Sequence, residues 1–86
     1  DLGRAIPLYE QTLTDRQRIL GSDHPNTLTS RNNLASALWQ RGQQREAFIL
    51  WEAAAESAVR LFGPRHEVTR TLVANLTEAH RFLDGT

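Results

Sequence analysis

At 86 residues, with 40% hydrophobic and 23% charged side chains, the chain makes one domain at most, of ordinary globular composition and with an economical core. Ten Arg, with no Lys, balance ten Asp plus Glu, so there is no general attraction to nucleic acid or to an anionic membrane. Cysteine is absent, which excludes disulfides and thiolate metal sites.

No apolar run is long enough to span a bilayer, and the first residues lack the basic-then-apolar pattern of a signal peptide. A cytoplasmic setting is therefore the expectation. The chain has no Met, and it is expected to be an excised piece of a longer protein.

Four helices are predicted, near 2–20, 26–41, 44–62 and 67–83. In the first, Leu2, Ala5, Ile6, Tyr9, Leu13, Ile19 and Leu20 largely recur at steps of three and four, which puts one apolar stripe on a helix. Pro7 lies about a turn inside, where it kinks the helix or marks its true start. Gly21 follows the stripe and can close the helix in a left-handed conformation. Asp23 or His24 then caps the second helix, with Pro25 in its first turn. The stripe of that helix is Leu28, Leu34, Ala35 and Leu38, and Gly42 ends it.

The third helix carries Ala47, Phe48, Trp51, Ala54, Ala55, Ala58 and Phe62, and Gly63 follows. His66 caps the fourth, Glu67 complements its dipole, and Val68, Leu72, Leu76, Ala79 and Leu83 form its stripe before Asp84 and Gly85. No segment alternates with period two, so no strand is expected. The short connections force successive helices antiparallel.

The chain also repeats itself. Shifting it by 42 residues aligns eleven identical pairs without a gap: Ala5/Ala47, Leu8/Leu50, Glu10/Glu52, Arg18/Arg60, Gly21/Gly63, His24/His66, Thr27/Thr69, Thr29/Thr71, Asn33/Asn75, Leu34/Leu76 and Ala37/Ala79. Ile6/Phe48, Tyr9/Trp51, Ile19/Leu61 and Leu20/Phe62 keep their character. A fixed period of this size marks a solenoid, in which each unit leans on the next for its interior.

The run from Thr27 through Leu28, Thr29, Ser30, Arg31, Asn32, Asn33, Leu34 and Ala35, followed by Gly42, resembles the first helix of a tetratricopeptide repeat. Ala47, Trp51 and Ala54 resemble the small-aromatic-small series of the second helix. In the preceding unit Ala5 and Tyr9 match and Thr12 departs. The loop Leu20, Gly21, Ser22, Asp23, His24, Pro25, Asn26, Thr27 is similar to the inter-repeat loop of the kinesin-light-chain subtype, whose repeat is also longer than the common one. The second loop, at 62–67, keeps only part of that motif.

The resemblance implies an all-α fold of antiparallel helical hairpins stacked as a right-handed superhelical solenoid. Residues 1–21 would be the second helix of a preceding repeat, 26–62 a full helix-turn-helix repeat, and 67–83 the first helix of a following repeat.

In that family the first helices of successive repeats line a concave face. Here that face would carry Thr29, Asn32, Asn33, Ser36 and Gln40, with Trp39 at its border, and Thr71, Asn75, Glu78 and Phe82 on the fourth helix. Asn33 and Asn75 are one repeat apart, and an amide both donates to and accepts from a peptide backbone. The resemblance implies such a clamp; the competing reading is that each Asn bridges helices within the array. Trp39 lies off its stripe, so it either anchors a partner or covers the edge of the next hairpin. Trp51, paired with Tyr9 by repeat, is expected in the core.

Catalytic chemistry is not expected. No nucleophile motif, phosphate loop or sequestered carboxylate is visible, and Glu52 and Glu56 sit on one open face. His24 and His66 share a loop position, which the repeat explains without a metal, and His80 stands partly buried where the first unit has Leu38. Neither cofactor nor metal is expected. The expected function is a protein-interaction module holding a peptide or partner protein, without nucleic acid or membrane. The alternative is a structural, oligomerising or regulatory arm of a larger signalling protein, self-associating through apolar area on its first and last helices.

Overall fold

The computed structural model describes residues 1–85 and contains four helices: α1 (Leu2–Leu20), α2 (Pro25–Arg41), α3 (Gln44–Phe62) and α4 (Glu67–Asp84). No strand occurs among the described residues. The particle is a slab of 38 × 32 × 16 Å. Helix α2 packs between α1 and α3, α3 packs on α4, and α2 touches α4 along a narrow seam. The fold is an all-α helical repeat.

The helix ends follow from local chemistry. Asp1 caps α1, its side chain accepting from the Gly3 amide at 2.9 Å. Pro7 does not mark the start of α1: the helix begins five residues earlier, at Leu2, and runs through it with the ring exposed. The cost is one backbone hydrogen bond, because proline has no N–H to donate to the preceding turn.

His24, not Asp23, caps α2. Its Nδ1 accepts from the Asn26 amide at 3.0 Å. One repeat later His66 Nδ1 accepts from the Val68 amide at 3.1 Å. A neutral imidazole nitrogen thus does the work usually given to a Ser or Asp side chain. Gly21 and Gly63 adopt φ/ψ of 92°/158° and 83°/167°, a region essentially open to glycine alone. This explains their recurrence at one repeat position.

Seven of the thirteen buried apolar residues are alanines: Ala35, Ala37, Ala47, Ala54, Ala55, Ala58 and Ala79. Small side chains let the helices approach closely, and Ile6, Leu28, Leu34, Leu38, Trp51 and Leu72 fill what remains. Trp51 is 5% exposed. Because α2 is covered from two sides, it also buries Thr27 and Ser30, which a single-stripe reading leaves out. Their hydroxyls are satisfied: Thr27 Oγ1 donates to the Gly21 carbonyl at 2.7 Å and Ser30 Oγ to the Asn26 carbonyl at 3.2 Å.

Apolar side chains are exposed on α1 (Leu8, Tyr9, Ile19, Leu20) and α4 (Val73, Phe82), and also on α3 (Ile49, Val59, Leu61). His80 is not partly buried. It is exposed, with Nε2 3.1 Å from Asp84 Oδ2 and its ring 6.1 Å from that of Phe48. It borders α3 only through an open cleft with Arg45, Phe48 and Ile49, and no further helix among the described residues covers it, whereas Leu38 lies between α1 and α3.

Candidate functional site

The seam between α2 and α4 joins two helices one repeat apart. Both run antiparallel to α3, so they lie parallel to each other. At the N-terminal end of the seam, Thr29 and Asn32 of α2 and Glu67, Val68, Thr71 and Leu72 of α4 line a cleft of about 130 Å³. That is well below the roughly 300 Å³ at which small-molecule pockets begin. Thr29 and Thr71 are exposed along it.

In the middle of the seam, the Asn32 carbonyl oxygen Oδ1 accepts two hydrogen bonds. Trp51 Nε1 of α3 donates one at 2.8 Å, and Asn75 Nδ2 of α4 donates the other at 2.7 Å. One amide thus ties three helices together. At the C-terminal end, the Trp39 ring packs 5.7 Å from Trp51 and edge-on 5.4 Å from Phe82. Trp39 is half-buried and Phe82 exposed. Aromatic pairs at such distances stabilise beyond their buried area. Glu78 is also exposed on α4, and Arg81 Nη1 donates to its Oε1 at 3.3 Å.

The ten residues assigned to one face from the sequence therefore fall into two groups. Thr29, Asn32, Trp39, Thr71, Asn75 and Phe82 meet along the α2–α4 seam, with Glu78 on α4 beside it. Asn33, Ser36 and Gln40 line a separate cleft of about 430 Å³ with Asp1, Leu2, Ala5, Tyr9 and Ala37. Of these, Asn33 stands at the opposite edge of the polar arc of α2 from Asn32, with Ser36 and Gln40 between. Asn33 and Asn75 keep their repeat equivalence in sequence, but among the described residues it is Asn75 that bonds across the seam, to Asn32, while Asn33 faces α1.

Trp51 is the residue the sequence reading assigned to packing alone. The sign that it does more is the indole N–H itself, a donor that needs a partner once the ring is buried. Among the described residues, no group of three or more His, Cys, Asp or Glu is placed to hold a metal, and no helix is long and apolar enough to cross a membrane.

This geometry, α2 and α4 side by side with α3 packed on both, agrees with the family comparison. Residues 1–50 match the family model described as tetratricopeptide repeat. The chain belongs to the tetratricopeptide repeat family. Repeats of this family are generally protein-interaction modules, and its proteins are generally non-enzymatic scaffolds.

Among curated proteins, the mitochondrial tetratricopeptide repeat protein 19 of Rattus norvegicus is 33% identical over 82 residues, covering 94% of this chain and 22% of that protein. The Homo sapiens protein of the same name is 32% identical over 80 residues, covering 92% and 21% respectively. A clustered mitochondria protein homolog of Meyerozyma guilliermondii is 35% identical over 65 residues, 76% of this chain and 5% of that protein. The tetratricopeptide repeat chain thus spans about a fifth or less of the length of these relatives. No solved structure matched it significantly.

Proposed function

We propose that the α2–α4 face receives a segment of a partner protein. The observation that carries this reading is the composition of the seam: exposed hydroxyls at Thr29 and Thr71, half-buried amides at Asn32 and Asn75, and a Trp39–Phe82 aromatic pair, all on one side of two adjacent first helices. Polar groups that orient a ligand beside an aromatic anchor are the usual make-up of a recognition surface. The 42-residue spacing and the loop at 20–27 support assignment to the kinesin-light-chain-like subtype, with the order second helix, full repeat, first helix.

A second reading has its own observation. Leu8 and Ile19 of α1 are 66% and 69% exposed, and α1 also contributes Leu2, Ala5 and Tyr9 to the open cleft that holds Asn33, Ser36 and Gln40. This favours an arm that packs against further repeats or another copy of the chain within a larger signalling protein.

The two readings separate in one experiment. Peptides selected on the chain from a random dodecamer library should lose at least tenfold in affinity on Thr71→Arg, which obstructs the seam, and keep it on Leu8→Arg. Loss on Leu8→Arg alone would move the binding surface to α1 and reject the seam.

A further inference from the structure

We infer that α4 closes the repeat stack: its outer face is built to meet water and does not receive a further second helix, so helices add to the array on the α1 side. This rests on repeat packing alone and holds whether or not the seam takes a partner segment.

Helix α2 shows what a first helix presents to the second helix that follows it. Leu28, Asn32, Ala35 and Trp39 recur at helical spacing and share one side of α2. That side meets α3. Asn32 Oδ1 accepts from Trp51 Nε1 at 2.8 Å, and the Trp39 ring packs 5.7 Å from that of Trp51. Leu28 and Ala35 are fully buried on it. Leu38, beside this stripe, is also buried and lines a cleft with Ile49 and Leu50 of α3.

One repeat later the same positions on α4 are Arg70, Ala74, Thr77 and Arg81, with His80 in place of Leu38. All five are exposed. Two arginines thus stand where the stacked helix has a leucine and a tryptophan. Three of these side chains already have partners on α4 itself. Thr77 Oγ1 donates to the Val73 carbonyl at 2.8 Å, Arg81 Nη1 donates to Glu78 Oε1 at 3.3 Å, and His80 Nε2 lies 3.1 Å from Asp84 Oδ2. A helix packed on α4 as α3 packs on α2 would carry Arg70 to the depth of Leu28. A buried charge without a partner is strongly destabilising, whereas a polar outer face ends a helical stack without leaving an adhesive surface. Val73 and Phe82, which α4 also exposes, take the places of Arg31 and Gln40, outside that stripe.

The opposite end differs. Leu50 and Trp51 of α3 face α2. Their counterparts on α1 are Leu8 and Tyr9, which keep the same character, and Leu8 is largely exposed. The array thus has a direction: α1 keeps a face for a first helix before it, and α4 keeps none for a second helix after it. A segment that follows α4 in a longer chain would leave it without stacking on it.

The chain has no cysteine, so Thr77→Cys places a single thiol at the position that Ala35 buries completely in the first unit. A copy of residues 43–63 appended after Asp84 offers α4 a second helix in the register that α3 has on α2. With the native face, the thiol should react with a soluble disulfide reagent as fast as in the unextended chain. With Arg70→Leu, His80→Leu and Arg81→Trp, which give α4 the residues of α2, the same appended helix should dock and slow the thiol roughly tenfold or more. Slowing on the native face would overturn the inference, because α4 would then accept a stacked helix as it stands. Equally fast reaction on both faces would also overturn it, since those three residues would not be what closes the end. A second measurement needs neither the appended helix nor the triple variant. In the unextended chain, the Thr77→Cys thiol should react at one rate from micromolar to millimolar protein, and slowing with concentration would show a second copy stacked on α4, contrary to the inference.

Discussion

Arg16 Nη1 donates to Ser30 Oγ at 3.0 Å across the α1–α2 interface, and the same nitrogen donates to the Asn26 carbonyl at 2.9 Å. One repeat later those two positions are Ala58 and Leu72, both fully buried in the α3–α4 interface. The two units thus solve one packing problem in two ways, with a polar pair in the first and an apolar pair in the second. Arg16→Ala should cost about 1–2 kcal/mol by removing both donated bonds. Ser30→Leu alone should cost a similar amount through overpacking against the guanidinium stem. The double variant imports the apolar solution and should be more stable than the sum of the singles by about 1 kcal/mol. Urea denaturation of the four proteins measures this, and strict additivity would show that the two positions are not coupled.

Trp51 combines packing with orientation. Trp51→Ala should cost about 3–5 kcal/mol by opening a cavity under α2 and α4, enough to unfold most of a chain this small. Trp51→Phe keeps much of the ring and removes the N–H, leaving Asn32 Oδ1 with the Asn75 donor alone. About 1 kcal/mol of destabilisation is expected. Thermal melts followed by circular dichroism separate the two, and equal losses would mean that the indole donor contributes nothing.

The histidine caps make a separate claim. His24→Ala should destabilise by about 1 kcal/mol, and His24→Asp should recover most of that, because a carboxylate accepts from the same amide and complements the helix N-terminus. The comparison is again a chemical denaturation midpoint. An Asp variant no better than the Ala variant would place the role of His24 elsewhere than in its Nδ1.

Gly63 tests the loop. A Cβ at this position would meet no atom within 4 Å, so Gly63→Ala has no steric cost and isolates backbone strain. At φ 83° that strain is expected to cost about 1–3 kcal/mol. An unchanged midpoint would mean that the loop re-forms in another conformation without penalty.

Much of this architecture could be read from residue order. The stripes of α1 to α4 follow helical spacing, the 42-residue shift pairs α1 with α3 and α2 with α4, and Gly21 and Gly63 recur because one backbone conformation recurs. The site was harder to read, for a geometric reason. On a helical wheel, Asn32 and Asn33 both border the polar arc of α2, yet they sit at opposite edges, and each edge meets a different neighbour. Repeat logic selects Asn33, which has a counterpart in Asn75, and passes over Asn32, whose counterpart is Ala74. The Asn32–Trp51 bond depends on how α2 and α3 cross, and no local pattern encodes that. For His80 a related cause applies: its equivalence to Leu38 suggests burial, which requires helices on both sides, and among the described residues α4 has only α3 beside that position.

The central claim is that a partner segment lies on the α2–α4 seam, and amide chemical-shift mapping tests it most directly. With a 15N-labelled chain and a selected dodecamer, the expected shifts fall on Thr29, Asn32, Thr71 and Asn75, including both Asn side-chain amides, and on the Trp39 indole. The outer residues Leu8 and Ile19 should remain still. Shifts confined to α1, with the Asn32 and Asn75 side chains unmoved, would contradict the claim.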